Sequence, residues 1–131
     1  MSFIYTTDID YHNTKNQYSR KLPDYFAAVH NGGKSRDIIL LSRASCRAIN
    51  LDKWCKVGYD AESKIMRIVP LTEEQKGALW VSKGGADNVR QKINVSQFFK
   101  HIGAEDLPKG RFLVKVELDR SAAIIYFNHK L

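Results

Sequence analysis

The chain states one pattern twice, and this constrains its fold more than any other feature. A supersecondary unit of roughly fifty residues that cannot bury its own apolar face has to be closed by its twin. The first copy runs from Tyr25 to Leu71 and the second from Leu79 to Phe127. Each opens on a short apolar run, Tyr25 to Val29 or Leu79 to Val81, and reaches a glycine pair, Gly32-Gly33 or Gly84-Gly85. A second apolar run follows, Ile38 to Leu41 or Val89 to Val95, and then a serine, Ser42 or Ser96, placed to open a short helix. The tails align without a gap: VGYDAESKIMRI lies over VELDRSAAIIYF, which sets Asp60 over Asp119 and Met66 over Ile125.

Glycine pairs supply the positive φ of tight reversals, so each copy reads as hairpin, short helix, hairpin. In the first, the strands are expected at Tyr25 to Val29, Asp37 to Leu41, Cys55 to Tyr59 and Lys64 to Val69. Arg43 and Arg47 share one face of a helix capped by Ser42, with Ala44, Cys46 and Ala48 nearer the other, and Asn50 or Asp52 ends it. In the second, strands are expected at Leu79 to Ser82, Arg90 to Val95, Phe112 to Leu118 and Ala122 to Phe127. Its helix runs from Ser96 to a C-terminal cap at Gly103, with Phe98, Phe99 and Ile102 inward. The expected fold is mostly β with short helices, two β-β-α-β-β repeats forming one pseudo-twofold, barrel-like domain. Residues 1–24 read as a polar, Tyr-rich arm, 25–71 as the first repeat, 72–78 as a linker and 79–131 as the second repeat.

Charge narrows the partner. With 21 Lys+Arg against 14 Asp+Glu, a net charge of +7, the chain favours an anionic partner: nucleic acid, an acidic protein or a membrane surface. No run approaches the ~20 apolar residues of a membrane span and the first residues lack the pattern of a secretory leader, so a soluble, cytoplasmic protein is expected. Cys46 and Cys55 have no partner at metal-ligand spacing and read as buried thiols.

Catalytic patterns do not emerge. GGKS at Gly32 to Ser35 ends like a phosphate-binding loop, but that motif requires glycine where Ala28 stands and a helix after the serine. His12, His30, His101 and His129 are scattered over different elements, and the acidic pairs Glu73-Glu74 and Glu105-Asp106 fall in loops. The expectation is a protein that is not an enzyme, with no cofactor, metal or catalytic residue. Trp54, Trp80, Phe98, Phe99, Phe112 and Phe127 stand on apolar phases and are assigned to the core.

What remains is a basic set in each copy: Lys34, Arg36, Arg43 and Arg47 in the first, Lys83, Arg90, Lys92 and Lys100 in the second. A pseudo-twofold axis makes the two sets neighbours or mirror partners, a doubled patch for phosphates. Arginine holds two oxygens in its fork, while lysine adds salt-dependent attraction. The arm adds Lys15, Arg20 and Lys21 among Tyr5, Tyr11 and Tyr18. The same residues also serve to blunt strand edges.

The segment Ile38 to Leu71, strand, Ser-led basic helix, strand, turn and strand ending Arg67-Ile68-Val69-Pro70, resembles the swapped-hairpin repeat of the AbrB-like transition-state regulators, and the second copy resembles it more loosely. The segment departs from that family at Leu41-Ser42, where a proline is usual, and at Lys53-Trp54, where Gly-Asp is usual. The resemblance implies that two repeats in one chain replace the family's dimer, and that Arg43 and Arg47 contact DNA. The functional expectation is a DNA-binding regulator that uses a duplicated basic surface on double-stranded DNA. The alternative is a small phage or mobile-element protein that binds and inhibits a host nuclease or polymerase. A homodimer is compatible with either.

Overall fold

The computed structural model describes residues 22–32, 35–84 and 90–131. The first copy supplies β1 (Phe26–Gly32), β2 (Ser35–Leu41), α1 (Arg43–Ala48), β3 (Trp54–Asp60) and β4 (Ile65–Leu71). The second supplies β5 (Leu79–Gly84), β6 (Arg90–Asn94), α2 (Ser96–Ile102), β7 (Gly110–Val116) and β8 (Ala123–Lys130). All eight strands close into one antiparallel barrel in the order β1-β2-β6-β5-β3-β4-β8-β7. The two hairpins of one copy never touch edge to edge. A hairpin of the other copy lies between them on either side, so every strand edge is paired.

The register shows how closely the copies obey a twofold axis. The shift that carries Ser42 onto Ser96 carries Ile39 onto Ile93, and these two residues face each other across the β2–β6 seam. The shift that carries Asp60 onto Asp119 carries Met66 onto Ile125, which face each other across the β4–β8 seam. The axis therefore enters the barrel at Ile39/Ile93 and leaves it at Met66/Ile125. The remaining seams exchange under the same operation: Trp54 opposite Trp80 on β3–β5 corresponds to Leu113 opposite Phe26 on β7–β1.

Strand alternation fills the interior. Ala27, Val29, Ile39, Leu41, Cys55, Met66, Ile68, Val81, Ile93, Phe112, Val114, Ala123, Ile125 and Phe127 are buried in one cluster, and each larger aliphatic side chain among them contributes ~2 kcal/mol of apolar burial. At the α2 end, Phe99 joins Tyr59, Phe127 and Phe112 in a ring cluster, with centroids 4.7 Å apart for Tyr59–Phe99 and 5.3 Å for Phe112–Phe127. Gly103 ends α2 at φ 69°, a left-handed cap that glycine adopts without steric cost, where the sequence places it.

The sequence misplaces three side chains: Trp54 shares the outward phase of Lys56 on β3 and is half-buried outside the core, and two others are exposed. Trp80 stands on the outside of the barrel, 54% exposed, and Ile102 at the end of α2 is 45% exposed. On β5 the inward parity belongs to Leu79 and Val81, so Trp80 shares its face with Ser82. No helix among the described residues is long and apolar enough to cross a membrane.

Candidate functional site

Each helix lies over one end of the barrel, and the two ends have diverged. Ser42 closes β2 and caps α1: its Oγ accepts from the backbone N–H groups of Ser45 (3.4 Å) and Phe26 (3.2 Å), donates to the carbonyl of Asp24 (2.8 Å) and pairs with the Ser45 hydroxyl at 2.8 Å. This turns Ser45, Cys46 and Ala48 into the barrel and leaves Arg43 and Arg47 exposed on the opposite face. Asn50 follows the helix at φ 55°, a left-handed conformation that asparagine tolerates, and redirects the chain across the barrel end.

A side chain from the other copy fixes that loop. Gln91 on β6 is buried, and its Nε2 donates to the carbonyl of Leu51 at 2.7 Å and approaches that of Asp52 at 3.5 Å. Beside it, Lys83 on β5 faces Gln91 in register. The result is an open cleft of about 400 Å³ lined by Arg43, Cys46, Arg47, Asn50, Leu51, Asp52, Lys83 and Gln91. Two arginines of the first copy and a lysine of the second converge there, and Asp52 adds a carboxylate to the lining. Burial pushes the Cys46 thiol up to about 12, so it stays protonated at neutral pH and is no nucleophile.

The twofold operation carries this cleft onto the α2 end but does not carry its charge. Arg43 and Arg47 correspond to Gln97 and His101, and the matching hollow is lined by Asp37, Ser96, Gln97, Phe99, Lys100, Ala104 and Asp106. Asp37, the counterpart of Gln91, is buried and accepts from the backbone N–H of Leu107 at 3.0 Å, the same task of holding the loop after the other copy's helix.

Of the basic residues singled out in the sequence, Arg43, Arg47 and Lys83 therefore meet. Lys92 lies on the outer barrel face opposite Ser82, two residues along from Trp80. Lys100 belongs to the α2 end, where it also borders a groove of about 670 Å³ floored by Val57, Leu79 and Phe98 and edged by Lys56 and His101. Arg36 and Arg90 belong to β2 and β6. Lys34 and the arm residues up to Lys21 lie outside the described residues.

The sequence reading missed a second surface continuous with the cleft. Trp54 and Trp80 meet across the β3–β5 seam with ring centroids 5.1 Å apart at 75°, an edge-to-face pair on the outside of the barrel. Trp54 lines a hollow with Asn50, Asp52 and Lys53, so Asn50 and Asp52 border both the cationic cleft and the tryptophan surface. The period-2 phase of β5 is the signal that distinguishes Trp80 from its buried neighbours.

Among the described residues no group of three or more His, Cys, Asp or Glu side chains is placed to hold a metal ion. No protein-family model, characterised protein or solved structure matches this chain.

Proposed function

We propose that this protein binds nucleic acid without acting on it chemically, double-stranded DNA above all, and that the α1 cleft is the contact surface. The observation that carries this reading is the convergence of Arg43, Arg47 and Lys83 from two copies on one open cleft. Guanidinium forks suit phosphate oxygens, and the net charge of +7 supplies the long-range attraction of a polyanion. The interleaved hairpins and the basic helix that follows β2 also support the likeness to the AbrB-like regulators, with the regulatory role that this implies.

Fluorescence anisotropy of a labelled duplex, titrated at low and at physiological salt, tests the reading. The expected result is binding that weakens steeply with salt. Arg43→Ala/Arg47→Ala should weaken it by at least ~10-fold at low salt and flatten the salt slope by about two, one for each arginine withdrawn from a phosphate. Negligible affinity at low salt, or an unchanged double variant, overturns it.

The groove beside α2 favours a second reading. An apolar floor of Val57, Leu79 and Phe98 with Lys56, Lys100 and His101 at its edge suits an acidic, partly apolar segment of a host protein, as a small phage or mobile-element inhibitor requires. Stoichiometric capture of such a partner, insensitive to salt, distinguishes it from the first.

A further inference from the structure

We infer that the surface around Trp54 and Trp80 stacks an unpaired base, so that a single nucleic-acid strand is held with its phosphates in the α1 cleft and a base against the tryptophan pair. This inference rests on the nucleic-acid reading above and extends it from duplex phosphates to unpaired bases. Three observations carry it.

First, Trp80 is a large π-surface left 54% exposed on a sheet face whose next outward position on β5 carries only the small Ser82. Nothing in the core requires it there, because Leu79 and Val81 supply the inward contacts of β5. Second, lysines surround the pair. Lys56 stands two residues beyond Trp54 on the outer face of β3, Lys92 lies diagonally across from Trp80 on β6, and Lys53 lines the hollow beside Trp54. Lysine is depleted from the centres of protein–protein interfaces, whereas interleaved aromatic and basic side chains are the usual equipment of single-strand grooves. Third, the arginine cleft and the hollow beside Trp54 share Asn50 and Asp52, so a backbone leaving the cleft meets Trp54 first, and the Trp54 ring lies against that of Trp80. Asn50 and Asp52 are both exposed, and Gln91 fixes the loop that carries them through its bond to the Leu51 carbonyl. The Asp52 carboxylate at this junction disfavours a phosphate and leaves the position to a base, whose ring or exocyclic N–H it can accept from.

The test compares three probes on the intact protein at low salt: oligothymidylate, an abasic oligomer of equal length and charge, and a duplex. Intrinsic tryptophan fluorescence and anisotropy are the readouts. The expected result is that oligothymidylate quenches the tryptophan emission and binds on the order of tenfold more tightly than the abasic oligomer. Trp80→Ala should erase that preference while leaving abasic and duplex binding in place, and Trp80→Phe should retain part of it. Because Trp80 is exposed, neither substitution removes core volume, and circular dichroism verifies the fold. Equal affinity for the base-bearing and abasic strands, or a preference that survives Trp80→Ala, overturns the inference while duplex binding through Arg43 and Arg47 still stands. Loss of self-association in Trp80→Ala without any base preference overturns it in favour of a protein contact. Failure of all three probes to bind overturns the nucleic-acid reading itself, and this inference with it.

Discussion

Ser42 and Ser96 occupy the same position in the two copies and do different amounts of work. The Ser42 hydroxyl joins four groups: the α1 N-terminus at Ser45, the start of β1 at Phe26, the Asp24 carbonyl and the Ser45 hydroxyl. Ser96 lies inside the first turn of α2, whose N-cap is Val95, and its Oγ accepts from the Asp37 N–H across the β2–β6 seam at 3.0 Å. Ser42→Ala leaves the Phe26 N–H without its acceptor and the helix without a cap, at a cost of about 2 kcal/mol, and Ser96→Ala costs about half as much. Urea denaturation of the two variants checks the ranking, and equal losses would contradict it. Ser42 was legible in the sequence as a cap because helix caps have a short list of residue types, and Ser96 marks the start of α2 without capping it. The difference between the two hydroxyls was not legible, because the groups that they bind lie on strands distant along the chain. Gln91 and Asp37 were hidden for the same reason: a polar residue on an inward strand phase carries no local mark of the loop that it holds.

At the scale of elements, the outer hairpins retain the duplication most clearly, and their turns predict a pH response. Asp60 Oδ1 accepts from the N–H groups of Glu62 and Ser63, and Asp119 Oδ1 accepts from the N–H and hydroxyl of Ser121, the two aligned aspartates closing aligned turns. These bonds hold both carboxyls below the usual carboxylate range, with the Ser63 and Ser121 side chains as the largest cause. Glu117 is lowered as well, first by the bidentate grip of Arg67, whose Nε and Nη2 lie 2.7 and 3.0 Å from its oxygens. A carboxyl with a depressed folded-state pKa binds its proton more readily in the unfolded chain. Its contribution is therefore intact above about pH 4 to 4.5 and is lost as the pH falls through the folded value. Thermal unfolding is expected to show no loss from these groups between pH 7 and 5 and a progressive fall below about pH 4, reduced in Asp60→Asn/Asp119→Asn. An acid limb that the double variant leaves unchanged would assign the loss to other groups. Strand phases, turns and the Gly103 cap could all be read from the chain, since they follow from periodicities of a few residues. The helices could be located but their ends of the barrel could not be compared, because the substitutions that part them, Arg43 and Arg47 against Gln97 and His101, acquire meaning only once the axis is known.

For the whole molecule, the interleaving of hairpins decides what each half can do alone. In the barrel order β1β2 is flanked by β6 and β7, and β3β4 by β5 and β8, so neither copy contains a seam that joins its own two hairpins. Severed near Gly77, the first copy keeps its β1–β2 and β3–β4 pairings and loses the β2–β6, β1–β7, β3–β5 and β4–β8 seams. That exposes Ile39 and Met66, both fully buried at the two poles of the axis. Two separate hairpins with open apolar edges are marginal in water, and each fragment is expected to be unfolded or self-associated by circular dichroism and size-exclusion chromatography. Mixing the two fragments should restore a heterodimer with the spectrum of the intact chain. Its stability becomes concentration-dependent, since the linker no longer supplies a high effective concentration. A first-copy fragment that folds as a stable monomer would show that the hairpins can pair within one copy, and the twofold closure would cease to explain why the chain carries its pattern twice. Reconstitution also tests both candidate surfaces, because each is built across the two copies. The cleft needs Lys83 and Gln91 from the second copy beside Arg43 and Arg47 from the first, and the tryptophan pair needs Trp54 from one and Trp80 from the other. Neither fragment alone should therefore show nucleic-acid affinity beyond that of its bare charge, while the restored heterodimer should match the intact chain in both duplex binding and base preference.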